Sequence, residues 1–380
     1  MLRYKVASLF CGGGGFDLGF QGGFSHLGVK YERLPFDIVW ANDNDPDARD
    51  VYTANQKRYL GKHDFTFGDI EGVDLDSVPD FDILTAGFPC QPFSNAGNRK
   101  GVLDSRGTLF EEVERFVKSK QPKAFILENV KGILSTKMPD GTTVPAEIIR
   151  RLSSVKLEDG SSIKYTISGP KLVKAQDYGV PQQRHRVLII GIREDIAGPF
   201  QFNFDNILTY VKEESLQKVT VRHVVEGIKD ELPNAQDFWK FSPQAAKLVP
   251  LVKRSWKDIP YDSLPPRLKR IRDDMVKYRS PNFYRRFALD EINGTITASA
   301  QPENCGILHP IHNRRYTVRE IARIQSFPDD FVFTCKSIQN MYKVIGNAVP
   351  PVLIHSLAKA LKDHLSIASH TEKQSSQAIV

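Results

Sequence analysis

Along the first half of the chain, short apolar runs alternate with stretches in which apolar residues recur every three or four positions. The runs "YKVASLF" (4–10), "FDIVWAN" (36–42), "FDILTAG" (81–87), "KAFILEN" (123–129) and "RVLIIGI" (186–192) read as strands buried in a parallel sheet. Between them, 46–60, 106–120 and 144–156 show helical spacing, and Pro46 suits a first helical turn. This alternation predicts an α/β fold with a doubly wound, mostly parallel sheet and ligands at the carboxyl ends of its strands. After about residue 198 the alternation fades into prolines, aromatics and basic residues. A second, smaller, irregular, mainly β/loop domain is expected over 200–313. Helical patterning returns at 317–327 and 350–365. The first domain is therefore expected to be discontinuous, 1–199 plus 314–365, followed by a polar, disordered tail at 366–380.

The first strand runs into "CGGGGF" (11–16), where glycines let the backbone turn sharply and approach a ligand closely. The G-x-G-x-x-G pattern fails at its third glycine, where Asp17 stands, so a phosphate-clamping loop is poorly supported. Strand tips at "ANDND" and "FTFGDI" carry Asp43 and Asp69. Alone, each acid reads as a helix cap or turn former. In succession they suit the ribose diol and adenine amino group of a nucleoside cofactor that needs no bound pyrophosphate.

A second group of residues carries reactive chemistry. In "GFPCQPFSNAG" (87–97), Pro89 and Pro92 restrict the backbone on both sides of Cys90. The thiol is either a small buried hydrophobe in a tight turn or a nucleophile aimed by its backbone. The run 123–129 ends in "ENV", which places Glu128 near the same rim. In "VPQQRHRV", Arg184 and Arg186 alternate onto one face of an extended segment. A thiol, a carboxyl group and two guanidiniums form a set for nucleophilic addition to an electron-poor ring. Taken separately, Glu128 reads as a strand-end cap and the arginines as surface cations.

Composition narrows the class. The chain has 380 residues, 41% hydrophobic and 26% charged, ordinary values for a globular protein. The N-terminus lacks the h-region of a signal peptide, and no apolar run approaches the ~20 residues of a membrane span. Four widely spaced cysteines without a CxxC pair argue against a zinc site or a disulfide framework, so no metal and a cytoplasmic location are expected. The net charge is +7, and residues 251–290 hold 11 Lys or Arg against 5 Asp or Glu, interleaved with Trp256, Tyr261, Tyr278, Phe283, Tyr284 and Phe287. Such interleaving fits a nucleic-acid surface or, equally, a solvated basic helix around 264–279.

In chain order, "SLFCGGGGF", "GFPCQPFS", "DSRGTLF", "ENV", "QQRHRV", "RRYTVREIARIQSFPDDF" and "YKVIGNAVPP" resemble the motif set of the DNA cytosine-5 methyltransferases, from about residue 5 to 360. The gap between the arginine motif and the ninth motif is where that family carries its target-recognition domain. The resemblance implies the S-adenosylmethionine-dependent methyltransferase fold. It also implies transfer of a methyl group from S-adenosylmethionine to C5 of a flipped-out cytosine in a short duplex DNA sequence, leaving S-adenosylhomocysteine. Cys90 would add to C6, Glu128 would engage N3 and the exocyclic amine, and Arg184 and Arg186 would assist. Phe10, Gly12, Gly14, Asp43, Asn44, Asp69, Ile70, Leu109, Asn347 and Val349 would contact the cofactor. Asp43 departs from the pattern, since many members have Glu there, and Cys11 becomes a packing residue. The chain looks like a bacterial modification enzyme: a monomer acting on double-stranded DNA, paired with a restriction endonuclease for the same site, with no membrane partner. A tRNA cytosine-5 methyltransferase and a non-catalytic DNA-binding relative are the alternatives. A nucleotide-dependent dehydrogenase is disfavoured by the broken glycine fingerprint.

Overall fold

A computed structural model describes residues 3–88, 109–197, 201–211, 219–273 and 282–377. Strands β1 (Tyr4–Leu9), β4 (Phe36–Asp43), β6 (Ile83–Ala86), β7 (Ala124–Val130) and β10 (His185–Arg193) form where the apolar runs predict them. Among the described residues they join β5 (Asp64–Phe67), β8 (Ser154–Lys156) and β9 (Ser162–Lys174) in an eight-stranded sheet of order β5-β4-β1-β6-β7-β10-β9-β8. Strands β5, β4, β1, β6 and β7 pair in parallel. The apolar pattern predicts a parallel β10 as well, but this strand is antiparallel to both neighbours. Its connection from β9 spans ten residues with one 3-10 turn, too short for the crossover that parallel pairing requires. Strand β9 itself escapes the apolar pattern because only scattered side chains along it are buried.

Side chains alternate cleanly between the two faces of this sheet. Val6, Ile83, Ile126 and Ile190 point to one face, and Ala7, Leu84, Phe125, Leu127 and Ile189 to the other. The first face is covered by α1 (Gly15–Gln21), α2 (Pro46–Asn55) and α11 (Pro351–Gln377), and the second by α3 (Leu109–Lys120) and α4 (Val144–Ser153). A small hairpin, β2 (Phe24–His26) with β3 (Val29–Tyr31), follows α1. Because β1 lies between β4 and β6, the chain winds outward in opposite senses from this point, which opens a crevice at the strands' carboxyl ends.

The segment expected to be mainly β/loop is built differently. Its described residues hold no strand, only isolated bridges such as Arg286 with Leu308. After α5 (Glu194–Ala197) come α6 (Val221–Val225), α7 (Pro243–Leu248), α8 (Pro266–Asp273) and several 3-10 turns. Prolines explain the preference: Pro243, Pro250 and Pro266 open helical turns, where a missing N–H costs nothing, and each would interrupt a ladder. Of the basic helix weighed as an alternative around 264–279, Pro266–Asp273 is observed as α8, 264–265 precede it, and 274–279 lie outside the described residues. Buried side chains of this segment, among them Ile207, Leu248, Phe283 and Ile296, run into one core with α9 (Val318–Ile324), α10 (Ile338–Asn347) and α11.

Helix α11 continues to Gln377, past the end expected at 365, because neither Gly nor Pro occurs after Pro351 to stop it. The stretch 338–366 is more apolar than its scattered polar residues suggest: one 18-residue window in it matches a membrane span by length and composition, yet 83% of that window is buried inside the protein. Helix α1 meets the start of α11 at Gly19, where a Cβ would overlap the Pro351 carbonyl. Replacing Gly19 by alanine is therefore expected to cost about 1–3 kcal/mol of stability, measured as a lower denaturant midpoint. An unchanged midpoint would show that the two helices separate without loss.

Candidate active site

The crevice is a cavity of about 730 Å³. One wall is built from the carboxyl ends of β1, β4, β6 and β7, and the other from residues 295–298 and 344–349. Twelve of the residues singled out in the sequence line it: Phe10, Gly12, Asp43, Asn44, Asp69, Ile70, Leu109, Glu128, Arg184, Arg186, Asn347 and Val349. Gly14 does not line it. It caps α1 at φ 85°, and a Cβ there would sit 2.7 Å from Leu60 and 3.1 Å from Tyr52, so it serves close packing of the loop on α2. Cys90 lies outside the described residues; Gly87 and Phe88, the last described residues before it, line the cavity.

At the β1–β4 end, the loop after β1 places Gly12 at φ 56°, and nothing lies within 4 Å of where its Cβ would stand, so this backbone faces open space. Its N–H donates to Asp43 Oδ2 at 2.8 Å, while Asp43 Oδ1 accepts the Asp45 N–H at 2.8 Å. Burial pushes the Asp43 carboxyl up, opposed by these amides. Each oxygen retains a second lone pair for a hydroxyl donor. Asn42 donates to the carbonyls of Thr66 and Gly68 at 2.9 and 3.0 Å, tying the β4 tip to the β5 tip. Beyond it, Asp69 accepts the Glu71 N–H at 3.2 Å and caps the turn Ile70–Gly72.

At the β7–β10 end, Glu128 and Arg186 form an ion pair with Nε to Oε1 at 2.5 Å, both residues buried. Burial raises the Glu128 carboxyl above its ordinary range, and the adjacent guanidinium opposes that rise. Arg186 is in turn held below its usual value by burial. Arg184 does not join this pair. Its guanidinium donates to the carbonyls of Ile296, Gly346 and Ala348 at 2.8–2.9 Å, fastening the opposite wall. Alternation predicts 184 and 186 on one face of an extended segment, and both line the cavity. Arg184, however, precedes the strand and reaches across the crevice.

Several site residues were not visible in the sequence. Asn129 donates from Nδ2 to the Phe88 carbonyl at 2.8 Å, holding the segment that leads to Cys90. Its position directly after Glu128 in "ENV" was the available signal. Gln182 is fully buried, and its Oε1 accepts the Ile296 N–H at 3.0 Å. Thr297 and Ala298 line the cavity where Gly346 packs backbone to backbone against them, with a Cβ there only 2.5 Å from the Thr297 carbonyl carbon. No local pattern announces that contact.

Comparison with known proteins agrees with this geometry. The model of the C-5 cytosine-specific DNA methylase family matches residues 4–363. The type II methyltransferase M.NgoPII of Neisseria gonorrhoeae is 32% identical over 382 residues, covering 95% of this chain and 96% of that protein. M.MthTI of Methanothermobacter thermautotrophicus is 31% identical over 385 residues, covering 96% and 98%. In fold, the chain is similar to the Dnmt2 methyltransferase of S. pombe, with a TM-score of 0.61 at 17% identity over 95% of this chain and 99% of that one. The chain thus belongs to the C-5 cytosine-specific DNA methylases, enzymes that transfer a methyl group from S-adenosylmethionine to cytosine in DNA.

Proposed function

We propose that this chain methylates one cytosine within a specific short duplex sequence, as the modification enzyme of a restriction–modification system. The supporting observation is one cavity that holds two chemistries: strand-tip acids beside a glycine loop, and a buried carboxyl–guanidinium pair next to the chain that leads to Cys90. Its size falls in the range of small-molecule sites. Relatives named as type II methyltransferases, similar along nearly their whole length, support the modification role.

S-adenosylmethionine fits the glycine-loop end and supplies an electrophilic methyl group on its sulfonium. Asp43 would hold the ribose diol through its remaining lone pairs, with Asp69, Ile70, Phe10, Leu109, Asn44, Asn347 and Val349 around the rest. The Gly12 amide is already spent on Asp43, so the loop offers little to a pyrophosphate. At the other end, a cytosine must leave the stack before a side chain can reach its ring. The Cys90 thiolate would add to C6, making C5 nucleophilic. Glu128 would hydrogen-bond N3 and the exocyclic amine, its carboxyl oriented by Arg186. The methyl group would pass to C5, leaving S-adenosylhomocysteine, and transfer of the C5 proton to solvent with cleavage of the C6–S bond would return the thiolate and the aromatic ring. Residues 200–313 would choose the sequence, with a cognate endonuclease acting on the same site.

Three experiments bear on these roles. Cys90→Ala is expected to abolish methyl transfer while retaining DNA binding, and a duplex with 5-fluorocytosine at the target should trap the wild-type enzyme covalently. Near-wild-type methylation by the variant would overturn the nucleophile assignment. Arg186→Met removes the cation that favours ionised Glu128, so the Glu128 titration, followed by carboxyl carbon NMR, should move to higher pH. A downward or absent shift would mean that the pair does not set the carboxyl's charge.

The arginines of the basic stretch divide by what they touch. Arg286 is buried and donates to the carbonyls of Val249, Val252, His309 and His312, and Arg272 to those of Ile259 and Lys257. Arg254 and Arg285 share Glu291 at 3.1 Å each. Arg267 and Arg270 on α8 are exposed, and Arg279 lies outside the described residues. Arg286→Ala should lower stability, whereas Arg267→Ala or Arg270→Ala should weaken DNA binding and flatten its salt slope by about one. Binding and salt slope unchanged in both α8 variants would make that helix a solvated face.

A further inference from the structure

The Asp17 carboxyl is wholly buried in the first turn of α1, at the position where a dinucleotide fingerprint would have its third glycine. Its Oδ1 accepts a hydrogen bond from the Ser8 hydroxyl on β1, and its Oδ2 accepts one from the Tyr52 hydroxyl on α2, both at 2.7 Å. The Tyr52 oxygen also lies 3.0 Å from His63 Nε2. Since the phenol gives its only proton to Asp17, the imidazole N–H donates to the phenol oxygen.

Everything between Ser8 and Asp17 is the glycine loop. Phe10, Gly12 and Gly14 stand there at φ 55°, 56° and 85°, and for Phe10 that is a conformation side-chain-bearing residues seldom adopt. Such backbone persists only when its surroundings fix it. Clamping both ends does so. The Tyr52 bond holds α2 against the same loop, where a Cβ on Gly13 would come within 3.2 Å of Val51 and one on Gly14 within 3.1 Å of Tyr52. Helix α2 begins three residues after Asp43, the acid that takes the Gly12 amide. One carboxyl group therefore joins the three elements that present Phe10–Gly13 and Asp43–Asp45 to the cavity.

For folding alone, this is a poor choice of residue. Burial pushes the Asp17 carboxyl up to about 6, offset among the described residues by its two hydroxyl donors and by no cation. A buried ion without a cation contributes less to stability than an apolar group of its size. We propose that Asp17 is a positioning residue for S-adenosylmethionine: through Ser8 and Tyr52 it fixes the glycine loop and Asp43 in the conformation that receives the cofactor. This rests on the reading that the cavity's glycine-loop end takes that cofactor.

The test compares wild type with Asp17→Asn, Ser8→Ala and Tyr52→Phe. Equilibrium dialysis gives the Kd for S-adenosylmethionine, and steady-state kinetics, duplex binding and thermal melting at pH 7.5 complete the set. Asp17→Asn is expected to raise the Kd and KM for S-adenosylmethionine about tenfold, with kcat and duplex affinity within about twofold and the melting temperature unchanged or higher. Each hydroxyl deletion removes one of the two bonds and should give a smaller loss of the same kind, which keeps the test available even where Asp17→Asn does not fold. Unchanged cofactor affinity in all three variants overturns the proposal. So does a loss shared equally by cofactor affinity, duplex affinity and melting temperature, which marks a purely structural group. A wild-type protein that does not bind S-adenosylmethionine overturns instead the reading of the cavity on which the proposal rests.

Discussion

Buried backbone that forms neither helix nor strand leaves its carbonyls without donors, and in this chain buried guanidiniums supply them. Arg184 ties residues 296, 346 and 348 together. Arg319 donates to the carbonyls of Pro233, Pro328 and Phe331, and Arg323 to those of Val224 and Glu226 while pairing with Asp329. Arg315 lies over the rings of Trp239 and Phe241, 4.2 and 4.7 Å from their centres, and donates to the carbonyls of Trp239, Lys240 and Ala300. Planar, multiply donating and always charged, this side chain can hold several chain segments at once where lysine cannot. The strandless segment and the wall of the cavity both depend on these struts. Positive charge in this chain is therefore not all surface charge, and a count of basic residues overstates what is available to a polyanion.

The cavity's two ends hold their carboxyls differently. Glu128 has a cation in contact, and Asp43 has two backbone amides. The first arrangement stabilises the ion while leaving its other oxygen 3.4 Å from where a Gly87 Cβ would stand, beside the chain that leads to Cys90. The second spends backbone donors that a phosphate would otherwise claim. Both carboxyls are raised by burial, so what each does with a ligand follows from the donors already committed to it.

Much of this was legible in the sequence, and the reasons for the rest are physical. Five central strands and the helices α2, α3 and α4 follow from apolar periodicity, because each is buried in a regular two-faced layer. The antiparallel β10 was missed because orientation is set by the length of the β9–β10 connection, and β9, with few buried side chains, leaves no apolar run. The strand-tip residues Asp43, Asp69 and Glu128 were legible because parallel strands deliver their carboxyl ends to one rim. The second wall was not: residues 295–298 reach the cavity through Gln182 and Arg184, more than a hundred residues away in the chain, and through Gly346, nearly fifty away. Gly14 is expected at the cavity from its motif and Arg184 from alternation as well; packing makes the first a helix cap, while the second lines the cavity and braces its far wall.

The relation between "GFPC" and "ENV" follows from the same geometry. Adjacent strands β6 and β7 run parallel, so the residues that follow each emerge side by side. Asn129 uses this by donating to the Phe88 carbonyl and accepting the Val130 N–H at 2.9 Å, which locks its own strand end as it holds the neighbouring one. Gly87 lies beside the Glu128 carboxyl, where a Cβ would come into van der Waals contact with it. The chain that follows β6 therefore has its Phe88 carbonyl fixed from β7, with the Glu128 carboxyl set beside Gly87.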